Sequence, residues 1–400
     1  MRFGMVTTFY PPYSYGGDAT YVRSLARSLV ELGHEVEVMA STDAYLLRSE
    51  DGGLVDWVDD NEVRVHRLRH RAGALAPLIS HQTGNPALYA RSLDAFFARS
   101  FDVLHFHNIS LMGAPGVLAR GKARARLLSL HDHWLICPTH VLWKNRQRAC
   151  DRRTCLSCTV LSGLPPQLWR YTGLRERSLK KLGRLLAPSQ FTASMHSSNG
   201  VSVPIAVLPL FSPYDGPIVT EPLVPNRLIY AGRLTALKGI QNLARTIATM
   251  PDVELLVIGD GELKAELQAA YGGLPNIRFL GKLAQTELFD HYANAAAVVV
   301  PSIVPETFGL TIVEAAACRT PAIVNKAAGG APEIVATTGG GIIYQGEAEL
   351  RAAVRAITQD SSLRDRLAAQ ARSGYEAHYT KSRHLDAYMT IVDELTRRPS

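Results

Sequence analysis

Two aliphatic runs, RFGMVTTF at residues 2–9 and RLIYAGRL at 227–234, each lead into a glycine-containing loop and then a helical pattern. No other feature constrains the fold as much. After the first run, the loop YPPYSYGGD precedes Asp18–Leu32, where Ala19, Val22, Leu25, Ala26 and Leu29 share one face. Asp18 is expected to cap this helix and Gly33 to end it. EVEVMAS (35–41) then reads as a second strand, and strand, loop, helix and strand make the βαβ unit of a parallel sheet. DVLHFHN (102–108), RLLSLHD (126–132) and GRLLAPS (183–189) continue the strands.

The pattern restarts after SPYDGPIVTEPLVPN (212–226), a Pro-rich linker by composition. Further strands are expected at 253–261, 276–281, 297–302, 321–326 and 341–345. A chain of 400 residues is too long for one compact core. The expectation is an α/β protein of two doubly wound, Rossmann-like parallel-sheet domains, residues 1–210 and 225–375. Residues 361–397 are helical by periodicity, and the part from 376 to 400 is expected to pack back on the first domain. Ligands of such sheets bind at the carboxyl ends of the strands, which places the expected site in a cleft the two domains face.

The content of 46% hydrophobic and 20% charged residues is that of an ordinary globular chain. No apolar run reaches about eighteen residues, so no transmembrane helix is expected. The first residues read as a strand rather than a signal peptide, which makes a cytoplasmic location the expectation. Charge is uneven. Residues 120–184 hold fifteen Lys or Arg against Asp132, Asp151 and Glu176, an excess of +12 on a chain of net +7. Trp134, Trp143 and Trp169 lie in the same stretch. Basic residues with aromatics suit an anionic membrane surface, hence a peripheral place on the inner face of the plasma membrane. A solvated charged face explains the excess equally well, and nucleic acid is the less favoured partner.

PETFGLTIVEAAACRTPAIV (305–324) carries the chemistry. Glu306 follows a strand, and Phe308, Gly309 and Leu310 open a helix whose free N–H groups form an anion site. Glu314, about a turn further, suits vicinal hydroxyls such as a ribose diol. In YAGRLTALKG (230–239), Arg233 and Lys238 could hold a diphosphate and stabilise charge growing on a leaving group. The bland alternative is that both glutamates are surface acids at a helix start.

GRLTALKG, the glutamates of PETFGLTIVE and the N-terminal YGGDATYVRSLARSL together resemble the GT-B-fold retaining glycosyltransferases of family four, group 1. That large family is typified by bacterial mannosyl-, glucosyl- and N-acetylglucosaminyltransferases. The resemblance spans nearly the whole chain. It implies a nucleotide-diphosphate-sugar donor, UDP more than GDP from family frequency, and a glycan or glycolipid acceptor. It implies that Gly232, Arg233 and Lys238 meet the diphosphate, that Phe308, Gly309, Leu310 and Thr311 line phosphates and sugar, and that Glu314 holds the ribose. Glu306 is implied to touch the donor sugar, with Gly16 and Gly17 closing over the diphosphate from the first domain. Asp18 stands where the family often has Glu or Gln. His131, in LHDHW (130–134), is similar to the family's histidine near the reacting sugar, and Asp132 is a weaker neighbour. His105 and His107 alternate on a strand and are left as cleft or core residues. The implied reaction retains anomeric configuration and needs no divalent metal or other cofactor for catalysis.

Four of five cysteines, Cys137, Cys150, Cys155 and Cys158, fall in CPTHVLWKNRQRACDRRTCLSC (137–158). In a reducing compartment such a cluster suits metal, and four thiolates suit structural zinc, with an iron–sulfur cluster or free or redox thiols as alternatives. The family core does not require this loop. The competing readings are the same transfer on a soluble small-molecule acceptor, and a non-enzymatic zinc-containing binding protein. A dinucleotide oxidoreductase is weak, because YGGD is not G-x-G-x-x-G.

Overall fold

The computed structural model describes residues 1–47, 60, 62–145, 147–151, 153–212 and 222–397. The chain divides into two compact units. The first is Met1–Leu208 with Leu385–Ser400, and the second is Pro209–His384. Most of the Pro-rich stretch expected as a linker, 213–221, lies outside the described residues.

The first unit is built on strands β1 (Arg2–Thr7), β2 (Glu35–Ser41), β3 (Arg64–Leu68), β4 (Val103–Phe106) and β5 (Ala125–Ser129). A two-residue hairpin follows, β6 (Trp143–Lys144) with β7 (Arg148–Ala149), then β8 (Arg184–Ala187) and β9 (Ile205–Val207). The sheet order is β3-β2-β1-β4-β5-β8-β9, and each registered pair is parallel. Strands covered by helices on both faces are buried throughout rather than alternating, and β4 is buried at all four positions, His105 included.

The second unit repeats the plan with β10 (Val224–Ala231), β11 (Glu254–Ile258), β12 (Ile277–Gly281), β13 (Ala295–Val300), β14 (Ala322–Asn325) and β15 (Gly341–Tyr344). Its order is β12-β11-β10-β13-β14-β15. β13, AAAVVV, is fully buried. In both sheets the strand order reverses beside the first strand, the position where open α/β sheets bind ligands.

Several local expectations change. The first helix runs Gly17–Glu31 with Gly16 at its cap position, so Asp18 sits in the first turn and caps nothing. Gly16 has φ 82°, a left-handed conformation that favours glycine. The closing segment is two helices, Ser361–His378 and Lys381–Thr396. The second carries His384, which bonds Pro209 O at 2.7 Å in the second unit. It also carries Tyr388, whose hydroxyl meets His105 in the first.

Candidate functional site

Beyond the carboxyl end of β10 the chain turns through Gly232, Arg233 and Leu234 into a 3-10 turn, Ala236–Lys238, and then the helix Ile240–Ala248. Glycines frame this turn. A Cβ on Gly259 (φ 131°) would lie 2.0 Å from Gly232 O, and one on Gly239 (φ 70°) 2.0 Å from Pro301 O. Both positions need left-handed backbone and the absence of a side chain. Tyr230 donates its hydroxyl to Arg233 O at 2.6 Å, and Ile303 N–H reaches Leu237 O at 3.1 Å. The turn is thereby fixed against the segment after β13.

That contact brings two predicted residues together. Lys238 Nζ lies 3.0 Å from Glu306 Oε2. Ser302 also donates to the Glu306 carboxylate. Glu306 is held through its backbone too, its N–H bonded to Ala328 O at 3.2 Å and its carbonyl to Gly330 N–H at 2.8 Å. An ammonium has three donors, so one bond to Glu306 leaves two for another anion. Arg233 is exposed.

The helix Leu310–Ala317 begins at the cap residue Gly309. Phe308 precedes the helix rather than opening it, and its ring is buried against Tyr379. Phe308 therefore offers a ligand its backbone, not its side chain. A Cβ on Gly309 would stand 3.0 Å from that of Ala331, so this glycine serves packing as well as approach. Thr311 lies in the first turn and also bonds Tyr292. Glu314 receives the Tyr292 hydroxyl at 3.3 Å. Loss of water around it pushes its carboxyl up to about 7, while the Tyr292 bond pulls the other way. Tyr292, Ser302 and Tyr230 escaped the sequence reading.

In the first unit, Gly16 and Gly17 are exposed at the start of their helix. Asp18 accepts a 3.4 Å bond from Asn108. His131 follows β5, its Nε2 3.0 Å from His107 Nδ1. His107 and His105 rings lie 3.9 Å apart, and His105 bonds Ser129 at 2.9 Å and Tyr388 at 3.0 Å. His105 and His107 are thus core residues, 0% and 2% exposed. Burial holds His107 well below the ordinary imidazole range, helped by the His105 and His131 charges. Burial also lowers His131, opposed by Asp18 and Asp132. Asp132 is engaged locally, bonding His140 at 2.7 Å and Trp134 N–H at 2.8 Å. Burial raises its carboxyl, but His140 and the Trp134 amide overcome that and hold it at about 2.

All five cysteines are thiols. Cys137, Cys150, Cys155 and Cys158 line one cavity with Leu142, Trp143 and Lys144. Among the described residues, no three His, Cys, Asp or Glu side chains are drawn together closely enough to hold an ion as they stand.

The basic, Trp-containing stretch differs from expectation. Trp134 and Trp169 are buried, 5.4 Å apart, with Arg170 over both rings. Arg126 is spent on the Leu118, Gly121 and Arg120 carbonyls, and Arg170 on those of Trp134 and Leu135. Exposed apolar side chains come instead from Leu156, Val160, Leu161, Leu164, Leu168 and Tyr171. Among the described residues no helix is long and apolar enough to cross a membrane.

Comparison with known proteins accounts for both units. Residues 15–211 match the family profile described as Glycosyltransferase Family 4, and residues 218–374 that of Glycosyl transferases group 1. Phosphatidyl-myo-inositol mannosyltransferase of Mycolicibacterium smegmatis is 25% identical, over 99% of this chain and 93% of its own. Among solved structures, sucrose-phosphate synthase of Thermosynechococcus elongatus aligns with TM-score 0.71 and 18% identity, over 99% of this chain and 100% of that one. Anabaena HepE, solved with UDP and glucose, aligns with TM-score 0.66 and 17% identity over the whole of both chains.

Proposed function

We take the chain as a family 4, group 1 glycosyltransferase of the GT-B fold, to which it belongs across both units, and propose that it moves a sugar from UDP-sugar to a lipid-linked or envelope glycan with retention of configuration. The observation that carries the donor half is the Lys238–Glu306 pair, set beside the N-terminus of the helix Leu310–Ala317. A diphosphate needs cations and amide donors, and a sugar needs an acceptor for its hydroxyls. Lys238, Arg233 and the amides of Gly309, Leu310 and Thr311 supply the first, and Glu306 the second. Glu314 takes the ribose diol. Gly232 lets the backbone come close to phosphate, and the family resemblance gives Gly16 and Gly17 the same role. UDP is favoured because HepE, a structural neighbour, binds it.

In this reading the acceptor hydroxyl attacks from the face the nucleotide leaves. The departing phosphate oxygen takes the acceptor's proton, so the donor C–O bond breaks as the new one forms and no proton is left over. Lys238 and Arg233 stabilise charge growing on that oxygen. His131, neutral at pH 7 by its environment, hydrogen-bonds a hydroxyl of the transferred sugar. With fixed cations on the diphosphate, transfer should proceed in EDTA. A lipid-linked acceptor is favoured by the name of the mannosyltransferase relative and by the exposed side chains from Leu156 to Tyr171.

The test is a thermal-shift panel of UDP, GDP, ADP and TDP and their sugars in EDTA, followed by NMR of the product's anomeric carbon. Selective stabilisation by UDP that disappears in Glu314→Ala and Lys238→Ala supports the donor site. Equal response to all four nucleotides, or an inverted product, overturns the UDP or the retaining assignment respectively. Acceptor class is read by transfer to extracted lipid against free sugars and sugar phosphates.

A further inference from the structure

We propose that Cys137, Cys150, Cys155 and Cys158 bind one zinc ion, a structural site in the first unit distinct from the transfer chemistry. Three different local devices deliver these thiols to one cavity. Cys137 closes a turn, its N–H bonded to His133 O at 2.8 Å and its carbonyl to His140 N–H at 3.0 Å. Cys150 leaves the β6–β7 hairpin with its N–H on Leu142 O at 2.8 Å. Cys155 and Cys158 occupy the first turn of the helix Cys155–Leu161, where a spacing of three puts both on one face. Chance would not send three unrelated segments, and four of the chain's five cysteines, to the same hollow.

Two of the four sulfurs have donors beside them. Asn145 N–H points at Cys158 Sγ from 3.3 Å, and Thr139 Oγ1 lies 3.2 Å from Cys137 Sγ. Backbone N–H and hydroxyl donors to sulfur are the outer partners that orient and charge-balance metal thiolates. Lys144 also lines the cavity. Four thiols that each release a proton to solvent and bind Zn²⁺ give a complex of charge −2, which that cation and the basic stretch around it offset.

The loop has need of such a staple. Among the described residues its strands are two residues long, and Cys150 and its described neighbours are exposed. Strands this short do not fix a segment of this length, whereas ligation contributes directly to its folding. Binding draws the four sulfurs, which already line one cavity, to a common ion. Zinc is preferred over an iron–sulfur cluster because it requires neither inorganic sulfide nor redox change.

The experiment uses the whole protein, purified under reducing conditions without added metal. Elemental analysis should find about one zinc per chain, and a chelator should release it while making four more thiols reactive. Cys158→Ser should lower zinc content at least about tenfold, and Cys318→Ser, outside the loop, should leave it unchanged. If Cys158→Ser does not fold, the wild-type decides: chelator-treated protein given cobalt should show thiolate-to-cobalt charge-transfer absorption. Protein that holds under a tenth of an ion per chain and takes up neither zinc nor cobalt overturns the proposal. So does iron with sulfide, or a disulfide among the four cysteines in the native protein. None of these readouts depends on sugar transfer, so failure here leaves the donor site untouched.

Discussion

β10 of the second unit runs into a short turn clamped by Gly239 and Gly259, while β1 of the first runs into a longer loop ending at Gly16. Both strands sit at the point where strand order reverses. The second unit places charge there, Lys238 with Glu306 and an exposed Arg233. The first places imidazoles that burial keeps neutral. Under the proposed function, one topology serves two electrostatic tasks. A fixed, tightly framed turn suits an anionic ligand, whose charge must be met by cations that do not move. A neutral, buried stack suits hydrogen bonding to an uncharged sugar.

Kinetics give the sharpest way to break that contrast. Lys238→Ala should lower kcat about 10²- to 10³-fold, the range for loss of one group that stabilises a charged leaving atom. His131→Ala should cost only about tenfold, since it removes a bond to a neutral hydroxyl. Steady-state rates on UDP-sugar check both, and equal losses would end the distinction. Next comes framing. Gly239→Ala forces a side chain into a left-handed backbone against a carbonyl, and should destabilise the second unit by about 3 kcal/mol. Hydrogen exchange should then report faster opening in residues 222–384 with the strands of the first unit unchanged.

Acid should distinguish the units too. His384 is pulled by burial from 6.5 to about 4, so its neutral form is present above pH 6.5 and the unfolded chain binds the extra proton below it. Its contribution, about 3 kcal/mol, is lost as pH falls from 6.5 to 4. His107 and His131 shift the same way in the first unit, and His107 lies well below its ordinary value. Urea unfolding followed by residue-level exchange at pH 7 and pH 5 should show the first unit weakening more. The smallest effect concerns Glu314. With its carboxyl raised to about 7, UDP affinity should climb as pH rises toward 7 and level off above it, by under about tenfold per pH unit. Calorimetric titration of wild-type and Glu314→Gln checks this; the variant should lose the slope.

Most strands were legible because aliphatic runs closed by glycine loops are local signals, but β3 and β9, the edge strands of the first sheet, were not read because they are short and carry little aliphatic signal. Lys238 and Glu306 were legible as a pair only through the topology, which sets both at carboxyl ends of adjacent strands. Tyr292 was not, because nothing in the residues near it marks a hydroxyl that reaches a helix eighteen or more positions on. The basic, Trp-containing stretch was legible only in part, for a related reason. Composition records that Trp134, Trp169, Arg126 and Arg170 are present, but not that rings stack inside and guanidinium groups are consumed by carbonyls. The Asp18 cap failed because the chain enters its helix at a residue with φ 82°, which only glycine adopts freely, and that shifts the start ahead of the aspartate.

The His105–Tyr388 bond joins the fourth strand of the first sheet to a residue 283 positions later. Leu395 likewise comes to rest against Gly183, and Glu394 pairs with Arg184. On the ribosome, the amino-terminal sheet therefore emerges long before the helix that covers it, and the whole second unit is synthesised in between. Until Tyr388 arrives, the nascent sheet lacks the helix that covers it, and His105 has its Ser129 bond without its Tyr388 bond. The order of synthesis thus makes the earliest-made unit the last to be completed.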